Sequence, residues 1–371
     1  MILLSIYIVL IILNFKFPRS KVLFAIDFLF MWILMGWNHS TADYSVYLTR
    51  YTHPEIYKTL EPLYVLLQNL GQSLGMDYNL FLIAMSFLFL FIRMLAIRKL
   101  SNKPNIVIAL YLMFPFIMDI TQVRMFYATS LILLGLVFLL KNTKKDNLIF
   151  MAFVLMATSI HAACIFYGLL LLVNQIDKKS PKKYAHQLAA IVVIAYLMLF
   201  SGALYYVVSI ASSFLGFGTK FVETAFATSM AYKITHKITY MIEIGLFWAF
   251  FNYIFGRAIR KRKKDDYIKE NIPNNNLLIS CYKFNYTMLL LLPLAWFSGD
   301  IYRVQHGLLG LFYALYSNSY YMRNNTRGRC TLYQLATVLF MILFIFLFLV
   351  GLESLRETVF MPVFFENVFI G

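Results

Sequence analysis

The chain has 371 residues, of which 61% are hydrophobic and only 13% charged, and its mean hydropathy is +0.71. That apolar share exceeds the ~45–50% of soluble domains, so a water-soluble globular fold is excluded and an all-α polytopic integral membrane protein is expected. The formal charge of +16 would suit a nucleic-acid binder, but the Lys and Arg residues sit in short loops between apolar runs, as the positive-inside rule expects. No nucleic-acid partner is expected.

The first apolar run, Met1 to Leu13, precedes Lys16, Arg19 and Lys21. A cleavable signal would show the reverse order, so this reads as a retained first span with its N-terminus outside. The apolar runs are continuous rather than alternating, which argues against barrel strands. They predict about ten transmembrane helices, over 1–17, 22–38, 79–97, 105–118, 121–140, 185–213, 239–257, 279–297, 302–322 and 331–351. This arrangement puts both termini outside. It also puts the basic clusters Lys16 to Lys21, Arg98 to Lys103, Lys141 to Lys145, Arg257 to Lys264 and Arg323 to Arg329 inside.

The whole chain, 1–371, reads as a single transmembrane domain with four special segments. Residues 39–78 form an outer loop and, from Glu61 to Gly75, an amphipathic helix on the outer surface. Residues 147–173 have basic residues at both ends (Lys144 and Lys145, then Lys178 and Lys179). A re-entrant hairpin with His161 near its tip keeps both ends inside. Residues 214–237 form an outer loop and residues 258–278 a basic cytoplasmic loop. Cys164, Cys281 and Cys330 are scattered and make no metal spacing, and no Gly-rich phosphate loop is present, so neither metal nor cofactor is expected.

A charge at the bilayer centre costs about 2.5–3.5 kcal/mol on insertion scales, so polar residues in or beside the spans need a reason. On this topology they collect on the outer face. They are Asp43, Tyr44 and Tyr47; Glu61 at the start of the surface helix; Asp119, Gln122 and Arg124 in a turn between helices; His161; and Asp300, Arg303 and His306. Arg124 and Arg303 lie there against the positive-inside bias. Arginine's planar fork suits phosphate or diphosphate oxygens, and tyrosines beside carboxylates suit sugar rings. Asp119 and Arg124 are also near enough in sequence to pair with each other. Arg93 lies near the inner end of its span and reads as a residue snorkelling to the inner interface, so Arg93→Ala is expected to matter little. Glu243 and Asp27 have no readable orientation.

The ordered motifs ADYSVYLTRY, EPLYVLL, ITQVRMFYATSLILL, SIHAACIF and DIYRVQHGLL resemble the EpsG family of Wzy-type bacterial polysaccharide polymerases. The family's Asp-x-x-x-Tyr matches Asp43 and Tyr47, its Glu-Pro matches Glu61 and Pro62, and its Arg, His and late Arg match Arg124, His161 and Arg303. One departure is Met125, where the family often has Gln; Gln122 lies nearby. The resemblance implies a GT-C-like membrane glycosyltransferase of the bacterial cytoplasmic (inner) membrane. Such an enzyme joins undecaprenyl-pyrophosphate-linked oligosaccharide repeat units, for O-antigen, capsule or exopolysaccharide, at the outer face. Its partners would be that lipid-linked oligosaccharide, membrane lipid, a chain-length regulator and a flippase. Arg124 and Arg303 would stabilise the leaving diphosphate, and His161, Asp43 and Glu61 are the candidate bases, with His161 preferred. Tyr44 and Tyr47 would position the acceptor sugar, and Asp119, Gln122, Asp300 and His306 would complete substrate binding. Two other readings of the same residues are an O-antigen ligase, which usually carries a larger outer domain, and a transporter or flippase, which should show internal repeats and polar residues open to both sides.

Overall fold

The structure is a computed structural model that describes residues 2–54, 61–175, 181–201, 203, 206, 209–210, 234–262, 275–295, 301–320, 337–346 and 350–369. Asp300, most of the loop 214–237, the centre of the basic loop 258–278 and the cluster Arg323 to Arg329 lie outside the described residues. Among the described residues every element is helical and no strand is present. Among the described residues three stretches are long and apolar enough to cross a membrane: Tyr78–Leu100, Lys237–Gly256 and Leu277–Ala295. Several shorter apolar helices accompany them, among them Ile2–Lys16, Pro104–Met113 and Val123–Leu139. At 1.5 Å per residue Ile2–Lys16 is about 22 Å long, less than the ~30 Å hydrocarbon core.

The chain divides into two compact units, the first built from Met1–Phe138, Leu148–Cys164 and Leu309–Gly371. Helices α1 (Ile2–Lys16) and α2 (Lys21–Gly36) pack on α6 (Pro104–Met113) and α5 (Tyr78–Leu100), respectively. Ser20 caps α2 by accepting from Leu23 N at 3.2 Å, and Asp77 caps α5 by accepting from Leu80 N at 2.8 Å. Each cap satisfies an amide that the helix cannot pair itself. At the basic end Asn105 donates to Phe17 O (2.7 Å) and Ser20 O (3.0 Å), and Asn318 donates to Leu100 O (2.9 Å). At the other end Val368 N donates to Trp37 O (3.2 Å), and Ala42 N donates to Thr358 O (3.2 Å). The C-terminal segment and the loop leading to Asp43 therefore occupy the same end of this unit.

The expected span 105–118 is not one helix. It ends at Met113, and a short α7 (Phe116–Thr121) and then α8 (Val123–Leu139) follow. Pro115 has no N–H to continue the ladder, and Gln122 closes α7 before α8 begins. This double break presents Asp119 and Arg124 on separate helical turns.

Arg93 corrects an expectation. It is 3% exposed and does not reach an interface. Its Nη1 lies 3.4 Å from Asp119 Oδ2, its Nη2 donates to Thr129 Oγ1 at 2.6 Å, and its Nε donates to Ser130 Oγ at 3.2 Å. The guanidinium sits over the rings of Tyr111 (4.8 Å) and Phe126 (4.7 Å), and Tyr111 Oη donates to Asp119 at 2.7 Å. Snorkelling is what a long cation does when only lipid surrounds it. Here a carboxylate, two hydroxyls and two aromatic faces replace water, so the charge stays inside.

The second unit comprises Leu139–Asn147 and Ile165–Leu308. It holds α10 (Leu169–Gln175), α11 (Pro181–Phe200), α12 (Ile234–Arg262), α13 (Asn275–Thr287), α14 (Leu291–Ala295) and the first turns of α15 (Arg303–Tyr320). Asn174 Nδ2 donates to Leu139 O and Asn142 Oδ1, both at 3.0 Å, and its Oδ1 accepts from Ser280 at 2.9 Å. Thus the chain that leaves residue 142 into α9 (Lys144–Thr158) comes back to the same place by residue 174. Tyr184 and Thr287 share a 2.8 Å hydrogen bond, and Asn285 donates to Trp248 O at 3.0 Å. Side-chain amides and hydroxyls of this kind join helices where apolar packing against lipid supplies little drive.

Candidate functional site

In the first unit the site grows from a helix start docked on a turn. Helix α4 (Pro62–Ser73) begins with Pro at its first position, where a missing N–H costs nothing. The next two amides, Leu63 N and Tyr64 N, donate to Ser159 O at 3.0 and 3.2 Å. The turn after α9 therefore supplies the acceptor that α4 lacks. The contact is reciprocal, because Ala162 N, which opens the 3-10 helix Ala162–Gly168, donates to Glu61 Oε1 at 3.3 Å. His161 lies inside this joint, with its own amide on Ala157 O (2.8 Å) and its carbonyl accepting from Cys164 N (3.0 Å).

Glu61 occupies the N-cap position of α4, yet its carboxylate does not cap the helix. Oε2 accepts a charge-assisted hydrogen bond from Arg124 Nη1 and lies 4.0 Å from Arg50 Nη2. Arg124 stands on the first turn of α8, over the rings of Tyr47 and Tyr64, each 5.5 Å from the guanidinium carbon. Its Nε is buried and has no hydrogen-bond acceptor among the described residues. Arg50, Glu61 and Arg124 keep side-chain exposures of 14%, 11% and 17%, enough for a ligand to reach and too little for full hydration. Burial, and next the nearby Arg124 charge, pull the Arg50 guanidinium below its ordinary value, while Glu61 opposes them.

Helix α3 (Tyr44–Thr52) starts at Asp43, whose carbonyl accepts from Tyr47 N at 3.0 Å. Asp43 is half-buried at that helix start and makes no side-chain cap. Tyr47 turns its ring to Arg124, whereas Tyr44 faces elsewhere. The Tyr44 Oη donates to Asn79 Oδ1 at 2.5 Å, and the ring stacks on His39 at 5.3 Å. Gly71 of α4 allows the close approach behind the site, because an added Cβ would lie 2.7 Å from the Phe81 ring and 2.9 Å from Tyr51 Oη. Leu66 and Leu70 of α4, and Leu74 at its C-cap, are exposed.

Asp119 and Arg124 do not pair with each other. Asp119 is 4% exposed and held by Arg93 and Tyr111, while Arg124 is held by Glu61. Gln122 is buried between them in the chain, its carbonyl accepting from Phe126 N at 3.0 Å.

The second unit has its own cluster. Arg303 opens α15, over the Tyr302 ring at 5.8 Å. Tyr302 stacks on Tyr240 at 4.2 Å with rings 4° apart. His306 Nε2 and Glu243 Oε1 share a 2.5 Å hydrogen bond, and the His306 ring meets Tyr302 edge-on at 5.3 Å. Glu243, whose facing the sequence leaves open, thus meets the motif that contains Arg303. Among the described residues no group of three His, Cys, Asp or Glu side chains could hold a metal.

Residue type and position alone do not single out Arg50, Tyr64 or Tyr240. Arg50 and Tyr64 lie inside the family-like motifs, so proximity to Asp43 and Glu61 was the available signal. Tyr240 and its neighbour Glu243 lie on α12, far in sequence from any motif; Glu243 stands out as an acid in an apolar run, and nothing local marks Tyr240.

An apolar chain whose described elements are all helical, with guanidinium–carboxylate and imidazole–carboxylate pairs held among tyrosines, defines a membrane protein with polar sites inside its helical units. The chain belongs to the EpsG family, whose sequence profile matches residues 21–362. This is a family of Wzy-like polysaccharide polymerases. No curated protein and no solved structure matches the chain.

Proposed function

We propose that the protein polymerises oligosaccharide repeat units carried on undecaprenyl diphosphate, at the outer face of the bacterial cytoplasmic membrane. The family supports polysaccharide polymerisation, and the chemistry of the first-unit cluster supports the lipid-diphosphate donor. In such a reaction a hydroxyl of one unit attacks the anomeric carbon of another, and negative charge grows on the departing diphosphate. A prepositioned guanidinium in a water-poor place stabilises that charge most. The observation that carries the reading is Arg124, held over two tyrosine rings by one carboxylate beside the His161 turn. Tyr47 and Tyr64 hold the guanidinium in place with their ring faces. Arg303, with its tyrosine and His306–Glu243 neighbours, suits the same substrate class. In the cell, a flippase that delivers the lipid-linked unit and a regulator that sets chain length are the partners that suit this activity.

A genetic experiment tests this. Deleting the gene should abolish long surface glycan while single repeat units are still exported and attached, and complementation should restore the ladder. An unchanged ladder contradicts the proposal. Loss of all attached glycan, with lipid-linked units still displayed outside, indicates a ligase instead, and accumulation inside indicates a transporter.

A further inference from the structure

The carboxylate between Arg50 and Arg124 stands where a ligand anion would stand. Two guanidiniums from different helices converge on one oxygen, Glu61 Oε2. Two like charges held this close, with little water, are tolerable only around an anion. One carboxylate is a poor match for two planar forks, each of which can grip two oxygens. The contacts are unequal: Arg124 is hydrogen-bonded to Glu61, whereas Arg50 stays 4.0 Å away. Buried Arg124 Nε is a further donor that no described residue accepts. Such a surplus of donors favours an anion with more oxygens than one carboxylate offers.

We propose that Arg50 and Arg124 together form the binding site for the donor's diphosphate, and that Glu61 is an internal stand-in which the diphosphate displaces and thereby turns into the general base. This rests on the polymerase reading and deepens it. A diphosphate diester carries two negative charges, which match the two guanidiniums. Once the diphosphate takes those guanidiniums, Glu61 Oε2 gives up its hydrogen bond from Arg124 and can accept a proton. Its other oxygen is still tied to Ala162 N, so the carboxylate stays at the site. The acceptor hydroxyl oxygen then bonds to the anomeric carbon, and its proton passes to Glu61. The bond from the anomeric carbon to the diphosphate oxygen breaks, and its electron pair leaves on the diphosphate, held by Arg50 and Arg124. The base is therefore inactive until a donor is seated. Gly71 and the Ser159 joint hold the stand-in: they fix α4, and hence Glu61, against α5 and the turn.

The experiment uses the full chain in detergent, with farnesyl diphosphate as the probe and farnesol as the control. Glu61→Gln keeps the size and the Ala162 contact but removes the competing charge. It should bind farnesyl diphosphate about tenfold or more tighter than the wild type, in line with one charged hydrogen bond, while polymerisation turnover falls steeply. Arg50→Ala and Arg124→Ala should each weaken binding by about the same factor, and Arg50→Ala should cancel the gain of Glu61→Gln. Farnesol should bind all variants alike. Glu61→Ala serves as a second variant if Glu61→Gln melts early. Equal or weaker diphosphate binding by both Glu61 variants, in folded protein, overturns the proposal, as does unaltered binding by Arg50→Ala. The two ideas fail separately. Tight, Glu61-limited diphosphate binding in a protein that makes no polymer would sink only the polymerase reading. Polymer production with no effect of Glu61 on diphosphate binding would sink only the stand-in.

Discussion

Replacing Arg93 by Ala should be among the most damaging single changes in the first unit. The side chain is 3% exposed, and its partner Asp119 is 4% exposed. Without the guanidinium, Asp119 loses its cation and keeps the Tyr111 hydroxyl, and the Thr129 and Ser130 hydroxyls lose a donor. Removing one member of a buried ion pair costs about 3–5 kcal/mol, because the other charge is left uncompensated. Against a typical total of about 5–15 kcal/mol that is a large fraction. At about 2 °C per kcal/mol for a chain of this size, the melting temperature in detergent should fall by roughly 6–10 °C. Arg93→Lys should recover only part of the loss, since an ammonium cannot reproduce the planar fork. The double variant Arg93→Met with Asp119→Met should melt well above the sum of its single changes, because two apolar groups leave no stranded charge. A melting temperature for Arg93→Ala within about 1 °C of the wild type, or strictly additive single and double losses, would refute this reasoning. Polymer output should fall with Arg93→Ala as well, because Asp119 and the Thr129–Ser130 pair flank the break after which α8 presents Arg124.

Arg124→Ala and Arg303→Ala should each abolish polymer while the protein stays in the membrane, as read by a glycan gel and a membrane-fraction blot; Arg124→Lys should keep a small part of the activity, because one ammonium replaces a fork. Gly71→Ala should cost about 1–3 kcal/mol, since the new methyl meets the Phe81 ring at 2.7 Å and Tyr51 Oη at 2.9 Å; a thermal melt checks it, and an unchanged melt would show that α4 is free to shift. Glu243→Leu should destabilise the second unit by breaking the His306 pair, and Glu243→Gln, which keeps an acceptor, should be milder. Equal melting temperatures for the two Glu243 variants would rule out the pair as a structural tie.

Much of the first-unit site is legible from residue type and position. Glu61, Arg124, Tyr47 and His161 stand out because charge or hydroxyl occurs where the chain is otherwise apolar, and the fold joins them through the α4 start and the turn after α9. The partners are less legible, because pairing is set by which helix faces meet. Asp119 is close to Arg124 in sequence, yet α7 and α8 are separate helices, and Asp119 meets α5 instead. Arg93 resembles an interface residue because its depth is visible in the sequence and its facing is not. Arg50 resembles one more loop cation, since nothing local tells that it approaches Glu61. Helix breaks follow the same pattern: Pro115 is visible, but two short helices and a turn in place of one span depend on the surrounding packing.

Reconstitution tests polymerisation by this chain most directly. The purified protein would be placed in liposomes with the host's undecaprenyl-diphosphate-linked repeat unit and no other protein, and the products run on a gel. Wild-type chain should give a ladder of joined units and release undecaprenyl diphosphate, and Arg124→Ala should leave single units only. No ladder from folded wild-type protein, or the same ladder from Arg124→Ala, would contradict the proposed function.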